Sequence, residues 1–311
     1  MMISRDDILA AQRRIEGDVR RTPLMKLPGA ALGLEVAELW LKLEQLQVSG
    51  SFKARGMFNR LRSAVVPSAG AVIASGGNAG IAAAAAAARL GVPIEVFLPE
   101  LASAAKRERL AALGARVVIG GPAYADALAA CLAHQRETGA LLMHAYDQIE
   151  VVAGAGTLAA EVEQEAGLPD RVLVSVGGGG LVAGIAAWFA GRCRVDALEP
   201  KLAPTLHAAL AAGAPVDVAV GGVAADSLGA RRVGEIAWAV CREHVSAAHL
   251  LDDAHIADAQ QRMWNDLRLA VEPAAALPLA ALWSGALKPA PQERVLVVVC
   301  GANFDPAGLV R

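Results

Sequence analysis

Apolar and polar positions along this chain follow two rhythms in alternation. "AELWLKLE" (residues 37–44) switches between polar and apolar one residue at a time, the period of a half-buried strand. "AVIAS" (71–75), "PIEVFLP" (93–99) and "ARVVIG" (115–120) are short apolar runs separated by alanine- and leucine-rich helical stretches. "RVLVSV" (171–176), "RVDALE" (194–199) and "RVLVVVC" (294–300) repeat the pattern. Short apolar strands alternating with helices predict an α/β architecture of parallel sheets covered by helices.

The strands between about 71 and 120 form one compact βαβαβ set. A second set lies beyond about 170, with the N-terminal segment packed on it. The expectation is two open, twisted, mainly parallel sheets flanked by helices. A large domain takes residues 1–50 and 150–311, and a small domain takes 51–149. Ligands in such folds bind at the carboxyl ends of strands, so the cleft between the two domains is the place to look.

Composition narrows the choice. The 311 residues are 55% hydrophobic, with much alanine, and carry a formal net charge of −2. No basic block or aromatic-studded basic stripe is present, so nucleic acid is not an expected partner. "GIAAAAAAARLGV" is too short and alanine-rich to span a bilayer, and no membrane association is expected. "MMISRDDILAAQRRIEG" reads as a charged amphipathic helix rather than a secretory leader. Cys131, Cys193, Cys241 and Cys300 are scattered, without a C-x-x-C pair or a histidine at zinc spacing. A reduced, cytoplasmic protein with neither disulfide framework nor zinc site is expected.

Four strand ends carry the candidate chemistry. In "SGSFKARG" (49–56) one of only six lysines, Lys53, sits among small residues behind Phe52. An amine condenses with an aldehyde only when deprotonated, and burial lowers its pKa. Ser49, Gly50 and Ser51 allow a tight turn, and Phe52 offers a flat face to a planar ring. The plain alternative is a solvated lysine at a helix start. In "ASGGNAGIAAAAAA" (74–87) a strand ends at Ser75 and Gly-Gly-Asn leads into a helix. The free N–H groups of that helix start suit a carboxylate, and Asn78 adds an amide donor. An ordinary N-cap asparagine is the competing reading.

The third is "RVLVSVGGGGLVAGIAAW" (171–188), where four glycines join a strand to a helix and can wrap a phosphate with backbone amides. Gly178, Gly180 and Ala183 also fit the G-x-G-x-x-A dinucleotide fingerprint, and Glu199 stands where a ribose-binding acid would. Spacing by itself leaves the dinucleotide open. The fourth is "RVLVVVCGANFDP" (294–306), where Cys300 ends a strand. It is either an inert buried thiol or a weak partner for a ring nitrogen.

In series, these segments resemble the fold type II, tryptophan-synthase-β-like family of pyridoxal-phosphate enzymes, and within it the serine/threonine dehydratases. "RTPLMKL", "LKLEQLQVSGSFKARG", "SGGNAG", "SVGGGG" and "VVVCGAN" match the family's motifs in order over nearly the whole chain. The dinucleotide reading leaves Lys53 and Asn78 without a role. The resemblance implies a small amino-acid substrate and β-elimination of a 3-hydroxy amino acid such as serine or threonine, giving a 2-oxo acid and ammonia. β-Replacement and racemisation are the alternatives within the family.

Carried over residue by residue, Lys53 would hold the cofactor as a Schiff base and shuttle the Cα proton. Phe52 would lie against the ring, Asn78 would bond the 3′ oxygen, Gly177, Gly178, Gly179 and Gly180 the phosphate, and Cys300 would face the ring nitrogen. Ser75, Gly76, Asn78 and Ala79 match the substrate-carboxylate loop. Racemases of the family carry a serine base where Gly76 stands, which disfavours racemisation. Tyr146 and Ala155 replace the family's usual phenylalanine and glutamine, and are expected to reshape the substrate pocket.

The resemblance also implies a cation beneath the phosphate loop, held by Glu199, Ala203 and Leu228. Thr205 replaces the aspartate of divalent sites, which favours K⁺ over Mg²⁺. Relatives are commonly homodimers, and a homodimer is expected. The chain ends a few residues past the last strand, so no isoleucine feedback is expected.

Overall fold

The computed structural model describes residues 3–309, with ten strands among them in two sheets. The larger sheet runs, in spatial order, β1 (Leu24–Pro28), β2 (Glu38–Lys42), β10 (Arg294–Val298), β7 (Arg171–Ser175), β8 (Arg194–Pro200) and β9 (Ala247–Leu251). The smaller runs β5 (Arg116–Ile119), β4 (Ile94–Leu98), β3 (Ala71–Ala74) and β6 (Leu141–Leu142). Only the β1–β2 pair is antiparallel. The predicted α/β class and two mainly parallel sheets are what the structure has. The small sheet is drawn wholly from residues 71–142.

All seven strands read from the sequence are present, and β1, β6 and β9 are additions. β9 is an edge strand whose residues are mostly half-buried, and β6 is two residues long, so neither imposes a hydrophobic period. β1 alternates only weakly and ends in proline, which an edge tolerates. The amphipathic first helix spans Arg5–Arg14. Ser4 caps it by accepting from the Asp7 amide, while the Asp7 carboxylate accepts from the Ser4 amide. Residues 1 and 2 of that segment lie outside the described residues. No helix among the described residues is long and apolar enough to cross a membrane.

Insertion of β10 between β2 and β7 determines where the site forms. It sets Val298 beside Lys42, so the chain leaving β2 runs next to the chain leaving β10. Gln45 N donates to Val299 O at 2.9 Å, and Phe52 N to Cys300 O at 3.0 Å. A single antiparallel bridge then ties Ser51 to Gly301. Lys53 opens the next helix, Lys53–Ser63, and is thereby fixed against the end of a strand some 250 residues away in sequence, on the order of the whole chain length.

That helix rides on the helix Ile149–Ala166 at very close range. A Cβ at Gly154 would fall 2.5 Å from the Arg55 carbonyl, which explains the glycine there. Beneath this contact lies a buried ionic cluster. Arg55, fully buried, bonds both carboxylate oxygens of Glu44 at 2.8 Å and those of Glu161 at 2.7 and 2.8 Å. Lys42 adds a 2.6 Å bond to Glu161 and one of 2.8 Å to the Thr22 carbonyl. Two cations face two anions, so the cluster is neutral.

Candidate active site

A recess with about 450 Å³ of empty space opens where the strand ends of both sheets meet. Phe52, Lys53, Asn78, Gly177, Gly178, Gly179, Gly180 and Cys300 all line it, so the structure brings together the residues that the sequence motifs singled out. Tyr146, Ser175, Leu181, Ser227, Leu228, Glu272 and Ala274 complete the wall.

The Lys53 amine lies 5.2 Å from the centre of the Phe52 ring and donates a 2.6 Å hydrogen bond to the Ala145 carbonyl. The residue as a whole is half-buried. Desolvation nevertheless pulls its pKa down from 10.5 to about 8, against the upward pull of Cys300 and Glu272. His144 holds the 145–147 turn that presents the carbonyl. Its Nδ1 accepts from the Asp147 amide at 2.9 Å and from the Tyr146 amide at 3.3 Å. Desolvation lowers the pKa of His144, consistent with a neutral acceptor.

The glycine loop follows β7 and opens the helix Gly180–Phe189. None of the Gly177–Gly180 N–H groups finds an acceptor among the described residues. Gly179 has φ +89°, a conformation that favours glycine. A Cβ at Gly178 would sit 2.4 Å from the Tyr146 ring, which covers the loop. Four free amides at a helix N-terminus, on residues without side chains of their own, could hold a phosphate.

Asn78 is the first residue of the helix Asn78–Leu90; Gly77 is its N-cap. Its side chain does not cap the helix. Nδ2 donates to both oxygens of Glu272, at 2.8 and 3.0 Å. The backbone amides of Asn78 and Ala79 have no acceptor among the described residues, as a carboxylate-binding helix start requires. Gly76 lines an adjoining cleft with about 990 Å³ of empty space, which shares Asn78 and Ser227 with the recess. Ser75 and Ala79 line neither space, and Ala79 is buried in the small-sheet core, so any part they take in binding is through their backbone.

Cys300 is buried, and its thiol is held well above its ordinary range, first by desolvation and then by the charge of Glu272. It faces the recess as a neutral S–H. Of the two departures flagged in the sequence, Tyr146 lines the recess, whereas Ala155 is buried in the large core and does not. The expectation that Ala155 shapes the pocket wall is therefore corrected: its position falls on the core-facing side of Ile149–Ala166.

Glu199, Ala203 and Leu228 gather beneath the glycine loop. Glu199 is fully buried and accepts from the Thr205 hydroxyl at 3.0 Å and from the Leu206 and His207 amides at 2.8 and 2.7 Å. Burial raises its pKa despite those bonds. The Thr205 hydroxyl also bonds the Gly177 carbonyl, and Leu228 packs 3.1 Å from where a Gly177 Cβ would be. One carboxylate with neutral oxygens suits a hard, weakly charged cation. No group of three or more His, Cys, Asp and Glu gathers among the described residues.

Sequence reasoning missed Glu272, Ser227, His144 and Asn303. For Glu272 a signal was present in "VEPAA" (271–275). Glutamate precedes the proline at the start of the helix Pro273–Trp283, yet glutamate is a poor N-cap and makes no capping bond.

A family profile described as pyridoxal-phosphate dependent enzyme matches residues 15–301. The chain belongs to this family. Its α/β fold is that of the fold type II members, and it falls in their serine/threonine dehydratase group. It is 33% identical to a phenylserine dehydratase of Ralstonia pickettii, covering 98% of this chain and 94% of that protein. It is 35% identical to an L-threonine ammonia-lyase of Geobacter sulfurreducens, covering 96% of this chain and 75% of that one. The structure of maize serine racemase superposes with a TM-score of 0.91 at 31% identity, over 99% of this chain and 96% of the other. The residues fit the family's cofactor. A phosphate has four free amides, an aldehyde has a weakly basic buried amine, and a ring has Phe52, Asn78 and a neutral thiol around it.

Proposed function

We propose that the protein removes water and then ammonia from a small 3-hydroxy amino acid, producing a 2-oxo acid, with pyridoxal phosphate as cofactor. The observation that carries this reading is the desolvated Lys53 amine, flanked by the free amides of Gly177–Gly180 and the amide of Asn78. Lys53 would hold the cofactor through its aldehyde, the glycine loop through its phosphate, and Asn78 through its ring oxygen. When bound, pyridoxal phosphate supplies an electron sink for charge that develops at the substrate Cα.

The chain's own residues do the rest. The free amides at the start of Asn78–Leu90 receive the substrate carboxylate. Lys53, with a pKa of about 8, is basic enough to take the Cα proton and is in part neutral near pH 7 to 8. The β-hydroxyl departs as water once it receives a proton, and returning the Cα proton from Lys53 balances the step. The enamine that is released hydrolyses in solution to the oxo acid and ammonia. The neutral Cys300 thiol donates only weakly to a ring nitrogen, which suits prompt elimination rather than a long-lived carbanion.

The activities named for the two sequence relatives, a dehydratase and an ammonia-lyase, support elimination. Racemisation is supported by the serine racemase likeness, but Gly76 offers no side chain to work from the opposite face. A panel of serine, threonine and phenylserine stereoisomers, assayed for ammonia and 2-oxo acid, decides between them. Enantiomer interconversion without ammonia release would refute elimination. Borohydride should fix the cofactor to Lys53. Bound K⁺ beneath the glycine loop, on Glu199, Thr205 and the carbonyls of Gly177, Ala203 and Leu228, belongs to the same proposal. Activity and thermal stability unchanged on replacing K⁺ with Na⁺ would remove it.

A further inference from the structure

Asn78 has both ends of its amide committed within the protein. Its Oδ1 accepts from Asn303 Nδ2 at 2.5 Å, while its Nδ2 donates to Glu272. Asn303 is itself fixed: its Nδ2 also donates to the Ser49 carbonyl at 2.9 Å, and its Oδ1 accepts from Arg109 Nη2 at 2.6 Å. The donors all run one way, from Arg109 to Asn303, from Asn303 to Asn78, and from Asn78 to Glu272. A cation heads the chain and a carboxylate ends it, so each bond polarises the next. Flipping the Asn78 amide would set its NH₂ against that of Asn303 and its carbonyl against Glu272.

Both ends are built for this use. Glu272 is 2% exposed and makes no ion pair among the described residues. It turns away from the helix it precedes, toward the recess. Gly301 leaves it room, since a Cβ there would fall 2.7 Å from Oε1. The Asn303 backbone amide donates to its other oxygen at 3.3 Å. Arg109 sits on the helix Ala104–Ala112, next to the small sheet, with no carboxylate at ion-pair distance among the described residues. Arg109 and Asn303 both line the cleft beside the recess.

We propose that Arg109 and Glu272 are positioning residues which, through Asn303, hold the Asn78 amide with its N–H side toward the cofactor ring. The inference rests on the cofactor reading above. It extends that reading by giving a residue outside the recess control over a contact inside it. While the relay is intact the Asn78 NH₂, which donates to Glu272 here, stays on the recess side where the ring oxygen would meet it.

The test uses the purified holoenzyme and reads the position of its visible band and the rate at which it loses cofactor on dialysis. Arg109→Ala should speed loss by about 3-fold, the size for a charge-assisted bond discounted for exposure. Glu272→Leu should speed it by more than about 10-fold, because it strips the acceptor from a buried amide. The double variant should be no faster than Glu272→Leu, since the relay is already cut. Arg109→Lys should restore the wild-type rate. Arg107→Ala, which removes a neighbour bonded only to the Ala102 and Glu100 carbonyls, should leave it unchanged. Arg109 is exposed, so its variants fold even where Glu272→Leu does not, and they decide alone. Cofactor loss from Arg109→Ala at the wild-type rate, or multiplicative effects in the double variant, overturns the relay. A wild-type protein with no visible band overturns the cofactor reading as well, and differs from both.

Discussion

Arg55 is the group whose removal should be felt most, because its cluster balances charge so narrowly. Replacing it with methionine keeps much of the side-chain volume and leaves Glu44 and Glu161 with Lys42 as their only cation among the described residues. Breaking a buried pair by removing one partner costs about 3–5 kcal/mol. That is a large part of the 5–15 kcal/mol by which a folded protein is typically stable. Urea unfolding followed by tryptophan fluorescence should show this loss in Arg55→Met. Arg55→Met with Glu44→Gln restores one cation to one anion, so the double variant should recover at least about 1.5 kcal/mol, the worth of a bond to a charged group.

The dependence on pH gives a second reading of the same perturbation. In the native protein burial pushes the Glu44 carboxyl upward, but the charge and hydrogen bonds of Arg55, with Lys42 and Thr22, outweigh it and hold the pKa below 4.5. A depressed carboxyl contributes stability above its unfolded value, and that contribution is lost as pH falls through the folded one. Without Arg55 the burial effect dominates, the pKa rises above 4.5, and the penalty grows as pH climbs. The deficit of Arg55→Met should therefore be smaller at pH 5 than at pH 8. A double variant no more stable than the single, or a deficit that does not change with pH, would refute the charge-balance argument.

Other expectations follow from single measured features. Lys53, at about 8, should be the first of the six lysines to be alkylated reductively by a small aldehyde at pH 7.5, as read by peptide mapping. Because its folded pKa lies below its unfolded one, its neutral form favours folding, and the cofactor-free protein should lose stability as pH falls from about 10.5 toward about 8. Gly178→Ala drives a Cβ to 2.4 Å from the Tyr146 ring and should cost about 1–3 kcal/mol of overpacking, seen as weaker cofactor retention. Tyr146→Phe, by contrast, loses only a 3.4 Å contact with the Arg232 carbonyl and should change stability by less than about 0.5 kcal/mol. Burial raises Cys131 to about 11 and Cys193 to about 12 and lifts Cys241 and Cys300 as well, so iodoacetamide at pH 8 should label the native protein slowly.

What could be read from the chain alone divides along a physical line. The β-branched runs are legible because burial on both faces demands four to six consecutive apolar residues, whatever lies elsewhere. The glycine loop and Lys53 are legible because strand-end glycines and a lone lysine are locally anomalous. Ala155 misled because a residue differing from the family's usual one says nothing about which side of a helix it faces; burial assigns it to the core. Glu272 shows only a local oddity, a glutamate before the proline of a helix start, and was missed for the opposite reason. Its meaning lies in a bond to Asn78, 194 residues earlier, and a local oddity does not name so distant a partner.

The placement of β10 makes those distant bonds possible. One strand from the far end of the sequence lies beside β2, and its exit carries Cys300, Gly301 and Asn303 past the turn that delivers Lys53. Gly301 serves two contacts at once: it bridges to Ser51 and gives Glu272 its space. A side chain at 301 would meet Glu272 Oε1 at 2.7 Å and Ser51 Cβ at 3.1 Å, so it would disturb the carboxylate behind Asn78 and the turn before Lys53 together. Gly301→Ala should consequently impair cofactor retention as strongly as Gly178→Ala, although the nearest neighbours of a Cβ at 301 are Glu272 and Ser51 and not the glycine loop. An alanine there that left retention unchanged would mean that Lys53 and Asn78 are positioned independently, against the coupling through β10 argued here.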